Sequence, residues 1–193
     1  MLTREERLNI EKIGIPFAVA IIGREWQIPI GNLELVVDEA RQYKGIDYEI
    51  KTNQGQTIYI DTKHQAQVNR NQKRTAYGVD ILSMEVRKEC GLKGWGIDNN
   101  LYTDYLIYMV NGVGYYILDS KLLRSYLSKT YASYEYAYKP IGKSDYRAVP
   151  VLDLLENGIV VSYREWNEVT STRTIHPNDL MNSRTRPLHR LPF

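Results

Sequence analysis

A strict alternation of apolar and polar residues between positions 46 and 63 constrains the fold of this chain more than any other feature. Ile46, Tyr48 and Ile50 alternate with charged side chains, and a second run, 57–63, repeats the pattern. A period of two predicts β-strands with one buried face and one wet face. The two runs are close enough along the chain to pair as an antiparallel hairpin.

The parity of this alternation fixes the register of the hairpin. Both apolar sets must lie on one side of the sheet, so even positions must pair with even and odd with odd. A three-residue loop, Asn53-Gln54-Gly55, satisfies this condition, whereas a two- or four-residue loop there violates it. Glycine at the third place suits a left-handed bulge residue. The register then places Asp47 opposite Asp61, with Lys63 two residues further along on the same face.

Two carboxylates that face each other across a hairpin require a compensating positive charge. Cross-strand neighbours have Cβ atoms about 5 Å apart, and like charges at that distance destabilise a sheet. A divalent cation held by Asp47 and Asp61 would offset the repulsion, because hard cations such as Mg²⁺ prefer oxygen ligands. Lys63 alone would offset part of it. The alternative interpretation is a solvated polar strand face on which the acids are incidental.

Short motifs follow one another along the chain in a definite order: Gly45-Ile46-Asp47, Ile60-Asp61-Thr62-Lys63, Ser83-Met84-Glu85-Val86, Gly94-Trp95-Gly96 and Thr103-Asp104-Tyr105-Leu106. This ordered set resembles the PD-(D/E)xK nuclease superfamily, and more narrowly its small bacterial and phage-type members. The resemblance covers roughly residues 5 to 128. The proline of the family motif is absent, because Ile46 precedes Asp47.

The resemblance implies hydrolysis of DNA phosphodiester bonds with Mg²⁺ or Mn²⁺ as the cofactor. Asp47, Asp61 and Lys63 would be the catalytic residues. The two aspartates would bind the metal, with the carbonyl of Thr62 as a third ligand. Lys63 would orient or help to deprotonate the attacking water and offset charge on the phosphorane. A bound cation lowers the pKa of its water and polarises the phosphoryl oxygen.

The superfamily often adds a glutamate from the first helix, and this chain has several candidates: Glu5, Glu6, Glu11 and Glu25. Glu6 also fits a capping box with Thr3, whereas Glu11 lies mid-helix, where it could face the site. Glu85 and Gln65 are further candidates for supporting roles. Without a helix glutamate the metal has fewer ligands, and a nucleic-acid-binding protein that does not cut is the alternative function.

Basic residues follow the proposed site between positions 63 and 74. Arg70, Lys73 and Arg74 are candidates for contacts with DNA phosphates, and a solvated surface connection is the alternative. The formal net charge of the chain is +2, and a non-specific DNA binder is usually more basic. The charge therefore gives little support for DNA binding by itself.

Composition is typical of a cytoplasmic globular protein without a membrane anchor. The single cysteine, Cys90, excludes a disulfide framework and suits a reducing compartment. The longest strongly apolar stretch, from Ile15 to Ile22, is too short to span a bilayer. No signal peptide is expected in the charged first residues. Oligomeric state is not encoded in any pattern, and a homodimer stays open.

We expect an α/β (α+β) fold with a mixed central sheet of about five strands flanked by helices. The resemblance implies a restriction-endonuclease-like core at residues 1–128, with a C-terminal extension at 129–193 packed on it. Gly14 and Pro16 are expected to separate two N-terminal helices. A third strand is predicted at 79–87.

Two functions of other kinds compete with the nuclease. The tyrosine-rich segment after residue 129 could be the working surface of an interaction protein: Tyr131, Tyr134, Tyr136 and Tyr138. A glycosidase would also use paired carboxyls. Lys63 argues against it, because a nearby ammonium favours the ionised form of Asp61 and opposes a general-acid role.

Overall fold

The structure is a computed structural model that describes residues 4–28, 32–52, 54–65, 72–88, 91–137 and 144–166. For residues 4–13 it describes the path of the helix alone. Thr3, Asn53, Arg70 and Tyr138, which the sequence analysis singles out, lie outside the described residues.

The described residues form α-helices α1 (Arg4–Glu25), α2 (Glu39–Tyr43), α3 (Ser120–Thr130) and α4 (Val151–Glu156). A short 3-10 turn at Tyr131–Ser133 follows α3. The strands are β1 (Leu33–Leu35), β2 (Tyr48–Lys51), β3 (Thr57–Gln65), β4 (Arg74–Thr75), β5 (Gly78–Val79), β6 (Ile81–Arg87), β7 (Tyr105–Val110), β8 (Gly114–Asp119), β9 (Asp145–Pro150) and β10 (Val160–Glu165).

The central sheet has six strands in the order β1-β2-β3-β7-β8-β10. Strands β3 and β7 are parallel, and the other neighbours are antiparallel. The expected α+β fold with a mixed central sheet is therefore confirmed, with one strand more than expected. The predicted third strand exists as β6, but it pairs with β9 in a separate two-stranded sheet.

The predicted hairpin register is confirmed. Tyr48 pairs with Ile60 and Ile50 with Ile58, so even positions meet even positions. The Thr52 amide donates to the Gln56 carbonyl, which leaves three loop positions, 53–55. Gly55 has φ +78°, the left-handed conformation for which glycine is favoured at that position.

One face of the central sheet is covered by α1. Ala18, Ile21 and Ile22 share one side of the helix and are buried against strand residues such as Ile50 and Ile60. The expected break at 14–16 is wrong, because α1 continues through Pro16. A proline inside a helix removes one backbone hydrogen bond, and burial of this apolar helix face on the sheet outweighs that loss.

The opposite face of the central sheet is covered by β6, β9, α3 and α4. Leu106 and Tyr108 of β7 are buried there with Leu123 and Leu127 of α3 and Leu154 of α4. The central sheet thus has an apolar layer on each side. Charged residues that project into either layer are exceptions to this pattern.

The segment after residue 128 contributes strands to the central sheet and to the β6-β9 sheet. Position 128 lies inside α3, so it is not a structural boundary between a core and an extension. Strand β9 pairs with β6, and β10 forms an edge of the central sheet beside β8. The described part of this segment therefore contributes strands to the core itself.

Candidate active site

Asp61 and Lys63 of β3 point away from α1 into the opposite layer. Ile60 belongs to the α1 side, and successive strand residues alternate faces. On the neighbouring parallel strand β7, Asp61 pairs with Leu106 and Lys63 with Tyr108, both members of the second core. Asp61 is only 4 % exposed. A buried carboxylate is costly unless it is paired or hydrogen-bonded, so its partners define the site.

Asp47 is held in place by the main chain and side chain of Thr62. The Thr62 amide and hydroxyl both donate to Asp47 Oδ2, at 2.9 and 2.6 Å. Upstream, the hydroxyl of Thr103 donates to the carbonyl of Gly45. Gly45 has φ +74°, and a Cβ there would lie 2.9 Å from the Thr103 hydroxyl oxygen. Glycine is therefore required for the chain to enter β2 with Asp47 in this position.

Lys63 forms a short ion pair with Asp61. Its ammonium donates to Asp61 Oδ1 at 2.6 Å, and the Lys63 side chain is 29 % exposed. Burial lowers the pKa of Lys63, but the nearby carboxylates of Asp61, Asp47 and Glu85 outweigh burial and the pKa is raised overall. Lys63 therefore stays an ammonium at neutral pH.

The environment of Asp61 disfavours the ionised form of its carboxyl group. Burial raises its pKa to about 7, Lys63 opposes this shift, and Asp47 adds to it. The Asp47 carboxyl is close enough to share a hydrogen bond with the protonated Asp61. The single ammonium of Lys63 thus only partly offsets the repulsion between the two acids.

Asp61 and Lys63 line a cleft of about 500 Å³. Its walls come from the segment around α2, from β6 and from the loop before β7. The lining residues are Glu39, Gln42, Tyr43, Gly45, Asp61, Lys63, Glu85, Lys88, Trp95 and Leu101. The cleft therefore contains three carboxylates, two ammonium groups and two aromatic rings.

The Gly-Trp-Gly segment positions the Glu85 wall of the cleft. The Gly96 amide donates to the Glu85 carbonyl at 2.9 Å. A Cβ added to Gly94 would lie 2.4 Å from the same carbonyl oxygen, so only glycine allows this approach. Tyr146 of β9 donates to the Glu85 carboxylate at 3.2 Å. Glu85, which the sequence nominated for a supporting role, therefore belongs to the cleft with Asp61.

The Thr103-Asp104 motif before β7 connects β3 and α3 through hydrogen bonds next to the site. Asp104 Oδ2 accepts the Tyr59 amide of β3 at 3.0 Å. The carbonyl of Thr103 accepts Arg124 of α3 at 3.0 Å. Burial lowers the pKa of Arg124, and Asp61 is the first of the carboxylates that oppose this shift. This buried cation is a neighbour of the site that sequence reasoning missed.

Sequence reasoning also missed the α2 wall of the cleft. Glu39, Gln42 and Tyr43 have the spacing of one helix face, and that spacing is readable in the sequence. The sequence nevertheless predicts no helix there, because α2 buries none of its residues. A helix without a buried face lacks the apolar periodicity on which sequence assignment relies.

Gln65 and the basic candidates lie away from the cleft lining. Gln65 accepts the hydroxyl of Tyr108 at 2.9 Å. Lys73 and Arg74 are exposed, and Arg74 donates to the carbonyl of Gly112. Gly112 follows the C-terminal end of β7, whereas Asp61 pairs near the beginning of that strand. These two basic residues are therefore at the other end of β7 from the acids.

The N-terminal helix lies on the wrong side of the central sheet to line the cleft directly. Glu11 belongs to α1, and its side chain is outside the described residues. Glu25 is committed elsewhere, because it accepts Arg164 at 2.5 Å and the Tyr115 hydroxyl at 2.7 Å. The helix-borne carboxylate that does line the cleft is Glu39 of α2.

The donor set suits a hard divalent cation, although it is small. Among the described residues, Thr62 donates to one oxygen of Asp47 and Lys63 donates to one oxygen of Asp61. The second oxygen of each carboxylate is then left for a cation. Incomplete compensation of these two acids favours a further positive charge. Among the described residues, no group of three or more His, Cys, Asp or Glu side chains is arranged to hold a metal ion.

Comparisons with known proteins give no relative for this chain. No protein-family model matches it, and neither do any curated protein or any solved structure. The likeness to the nuclease superfamily therefore depends on the motif residues alone. Over the described residues, the helices are either too short or too polar to cross a membrane.

Proposed function

We propose that this protein is a metal-dependent endonuclease that hydrolyses DNA phosphodiester bonds. The observation that carries the proposal is the buried Asp61, paired with Lys63 and crowded by Asp47 at the base of a polar cleft. Structural ion pairs perturb pKa values too, but a perturbed carboxyl with a specific charge partner in a cleft is typical of functional sites. DNA as the substrate and a phage-type setting come from the motif resemblance, and the cytoplasmic location comes from the composition.

Asp47 and Asp61 would hold the metal, Mg²⁺ or Mn²⁺, through the carboxylate oxygens that Thr62 and Lys63 do not engage. When bound, the cation would supply Lewis acidity and a more acidic water. Thr62 keeps the Asp47 carboxylate in one orientation through its amide and hydroxyl. In this arrangement Thr62 would position the metal ligand Asp47 with its amide and hydroxyl, instead of binding the metal through its own carbonyl.

Lys63 would act through its positive charge. Its raised pKa keeps the ammonium protonated, so it is poorly suited to remove a proton from water. A protonated ammonium beside the acids can instead orient the attacking water and offset the negative charge that accumulates on the phosphorane. Of the two roles that the resemblance implies, the electrostatic role is the one that the geometry supports.

The test is cleavage of DNA by single variants of the site residues. Asp47→Asn, Asp61→Asn and Lys63→Ala should each abolish Mg²⁺-dependent cleavage and leave the cooperative unfolding transition in place. Lys51→Ala is the matched control, because Lys51 is an exposed lysine at the far end of the same hairpin. Full cleavage by the Asp61→Asn protein would refute the proposal that these residues form a nuclease active site.

A nucleic-acid-binding protein that does not cut is the second candidate. It is favoured by the small donor set, because no group of three or more His, Cys, Asp or Glu side chains among the described residues is arranged to hold a metal ion. Calorimetric titration with Mg²⁺ or Mn²⁺ separates the two candidates. No heat of metal binding, together with salt-dependent DNA affinity, would favour this second function.

An interaction surface built on the tyrosine-rich segment has less support. Tyr134 donates to Asp153 at 2.6 Å and shares a hydrogen bond with Tyr126. Tyr136 covers the guanidinium of Arg147, 3.9 Å from its ring centroid. These two tyrosines of the segment already have structural roles within the molecule.

A further inference from the structure

Two aromatic side chains, Trp95 and Tyr43, line the cleft that contains the acids. The ring of Trp95 is half-buried and lies 6.0 Å from that of Tyr108. Tyr108 is itself fixed by a hydrogen bond from its hydroxyl to the Ser83 carbonyl, 2.8 Å long. The glycines on both sides of Trp95 are pressed against the Glu85 carbonyl. The main chain that carries Trp95 is therefore closely packed beside the cleft.

The second aromatic ring is offered to solvent. Tyr43 ends α2 and is 81 % exposed, although it lines the same cleft as Asp61 and Lys63. Lys88 adds a second ammonium to the lining. A tyrosine ring offers a large flat apolar face with a polar hydroxyl at one end, which is why tyrosine is enriched at interfaces. The aromatic walls match a ligand with a flat ring, and the two ammonium groups match its phosphate.

We propose that this cleft binds an unpaired nucleotide, with its base stacked against Trp95 and Tyr43 and its phosphate beside Lys63, so that the protein acts on single-stranded or frayed DNA. The proposal rests on the proposed nuclease function for the reaction, but its binding part can be tested without cleavage. Lys88 would contact a neighbouring phosphate of the same strand.

The size and character of the cleft favour an unpaired nucleotide over intact duplex. Inside a duplex the faces of the bases are covered by their neighbours, and a protein reaches them only after unstacking. A cleft of about 500 Å³ is in the range of sites that enclose one small molecule. It can take a single base with its sugar and phosphate, whereas a duplex would have to lie across its mouth.

The charge of the molecule agrees with this substrate. Duplex binding relies on many phosphate contacts made by lysine and arginine, whereas this chain has a net charge of +2. Stacking on aromatic side chains supplies affinity for single strands regardless of sequence. Two aromatic walls would thus compensate for the small number of cations in the cleft.

The experiment compares single-stranded, duplex and forked DNA of the same sequence, each labelled with fluorescein, on the full chain. Binding is followed by fluorescence anisotropy in EDTA, and cleavage with Mg²⁺ or Mn²⁺. Trp95→Ala and Tyr43→Ala should each weaken single-strand binding about tenfold or more. Trp95→Phe should restore most of it. Tyr102→Ala is the control, because Tyr102 is an exposed tyrosine, 61 % accessible, outside the cleft lining.

Cleavage should be fastest on the single strand or at the fork, and Trp95→Ala should raise KM more than it lowers kcat. Equal binding and cleavage of duplex, unchanged in Trp95→Ala, would overturn the proposal while leaving the nuclease intact. Cleavage of no DNA by the wild type, with single-strand affinity that still depends on Trp95, would support the stacking site and refute the nuclease. Thermal unfolding of each variant shows that the fold is retained.

Discussion

Asp61 combines two properties that rarely coexist in one side chain, deep burial and a carboxylate neighbour of the same charge. Both disfavour its ionised form, and Lys63 only partly restores it, so the pKa is raised to about 7 from 3.8. Because the ionised carboxylate is disfavoured in the free protein, a bound cation or a metal–phosphate complex would stabilise it. Destabilised groups of this kind are where function and stability compete.

The Asp61→Asn variant should therefore be more stable than the wild type in the absence of metal. Asparagine keeps the shape and can still accept the hydrogen bond of Lys63, but it removes the buried charge. In EDTA at about pH 8, we expect a Tm higher by roughly 2–4 °C, about 1 kcal/mol for a domain of this size. A lower Tm for Asp61→Asn under these conditions would contradict the electrostatic account of the site.

The advantage of Asp61→Asn should depend on pH in a definite direction. The folded-state pKa of Asp61 lies above its ordinary value, so folding takes up a proton in the interval from 3.8 to about 7. Stability of the wild type relative to the variant then falls as pH rises through this interval. It is constant above the interval, and the advantage of the variant in Tm should shrink as pH falls through the interval.

The meeting of Asp47 with Asp61 could be predicted, because one rule of parity determines it. Every apolar residue of the hairpin would change faces if the register slipped by one, so the local sequence specifies the pairing. Tyr43 and Arg124 could not be found in the same way. Tyr43 lies on a short helix that buries none of its residues, so no apolar periodicity marks it. Arg124 reaches the site because α3 packs beside the distant Thr103 segment, and no short-range pattern encodes such a contact.

At the scale of elements, the Gly-Trp-Gly segment connects the β6-β9 sheet with the site. Gly94 approaches the main chain of β6 so closely that a Cβ would lie 2.4 Å from the Glu85 carbonyl oxygen. The sequence shows the motif but not why it needs its glycines. The structure supplies the reason, since both glycines lie where main chain packs on main chain.

Gly94→Ala should destabilise the protein and displace Glu85 and Trp95 together. Overpacking against rigid main chain typically costs about 1–3 kcal/mol. Gly91→Ala is the matched control in the same connection, because nothing lies within 4 Å of its Cβ position and only its φ of +83° opposes the change. We expect about 1 kcal/mol there, by urea unfolding. Equal losses for the two variants would contradict the close-approach argument.

The elements that sequence patterns misassigned share a physical cause. Helix α1 runs through Pro16, and β6 pairs with β9 across about a third of the chain length instead of entering the central sheet. Local propensity sets the first expectation, whereas tertiary burial decides the outcome. The α1 face that packs on the sheet and the apolar residues of β6 are satisfied only by segments far away in sequence.

At the scale of the whole molecule, the two faces of the central sheet have different tasks. The face with the cleft carries the acids, and the α1 face is closed by a buried ion pair. Glu25 of α1 accepts hydrogen bonds from Arg164 of β10 and from Tyr115 of β8. Ser162 of β10 adds a fourth group. This network ties the N-terminal helix to the last strand of the sheet.

Replacing one member of this ion pair should cost far more than replacing both. Glu25 and Arg164 side chains are 9 % and 5 % exposed, so Glu25→Leu or Arg164→Met alone leaves a buried charge without its partner, at a cost of about 3–5 kcal/mol. The double variant leaves no buried charge. Arg164 Nη1 already has no hydrogen-bond partner among the described residues, so removal of the whole guanidinium also relieves an unsatisfied group.

We therefore expect a double-mutant cycle in urea to show a double variant clearly more stable than the sum of the single losses predicts. Additive losses would mean that the two charges act independently. The double variant should also keep any DNA cleavage or binding of the wild type, because its substitutions lie across the sheet from Asp61. Loss of activity in a double variant that unfolds like the wild type would show that the two faces are coupled through the sheet.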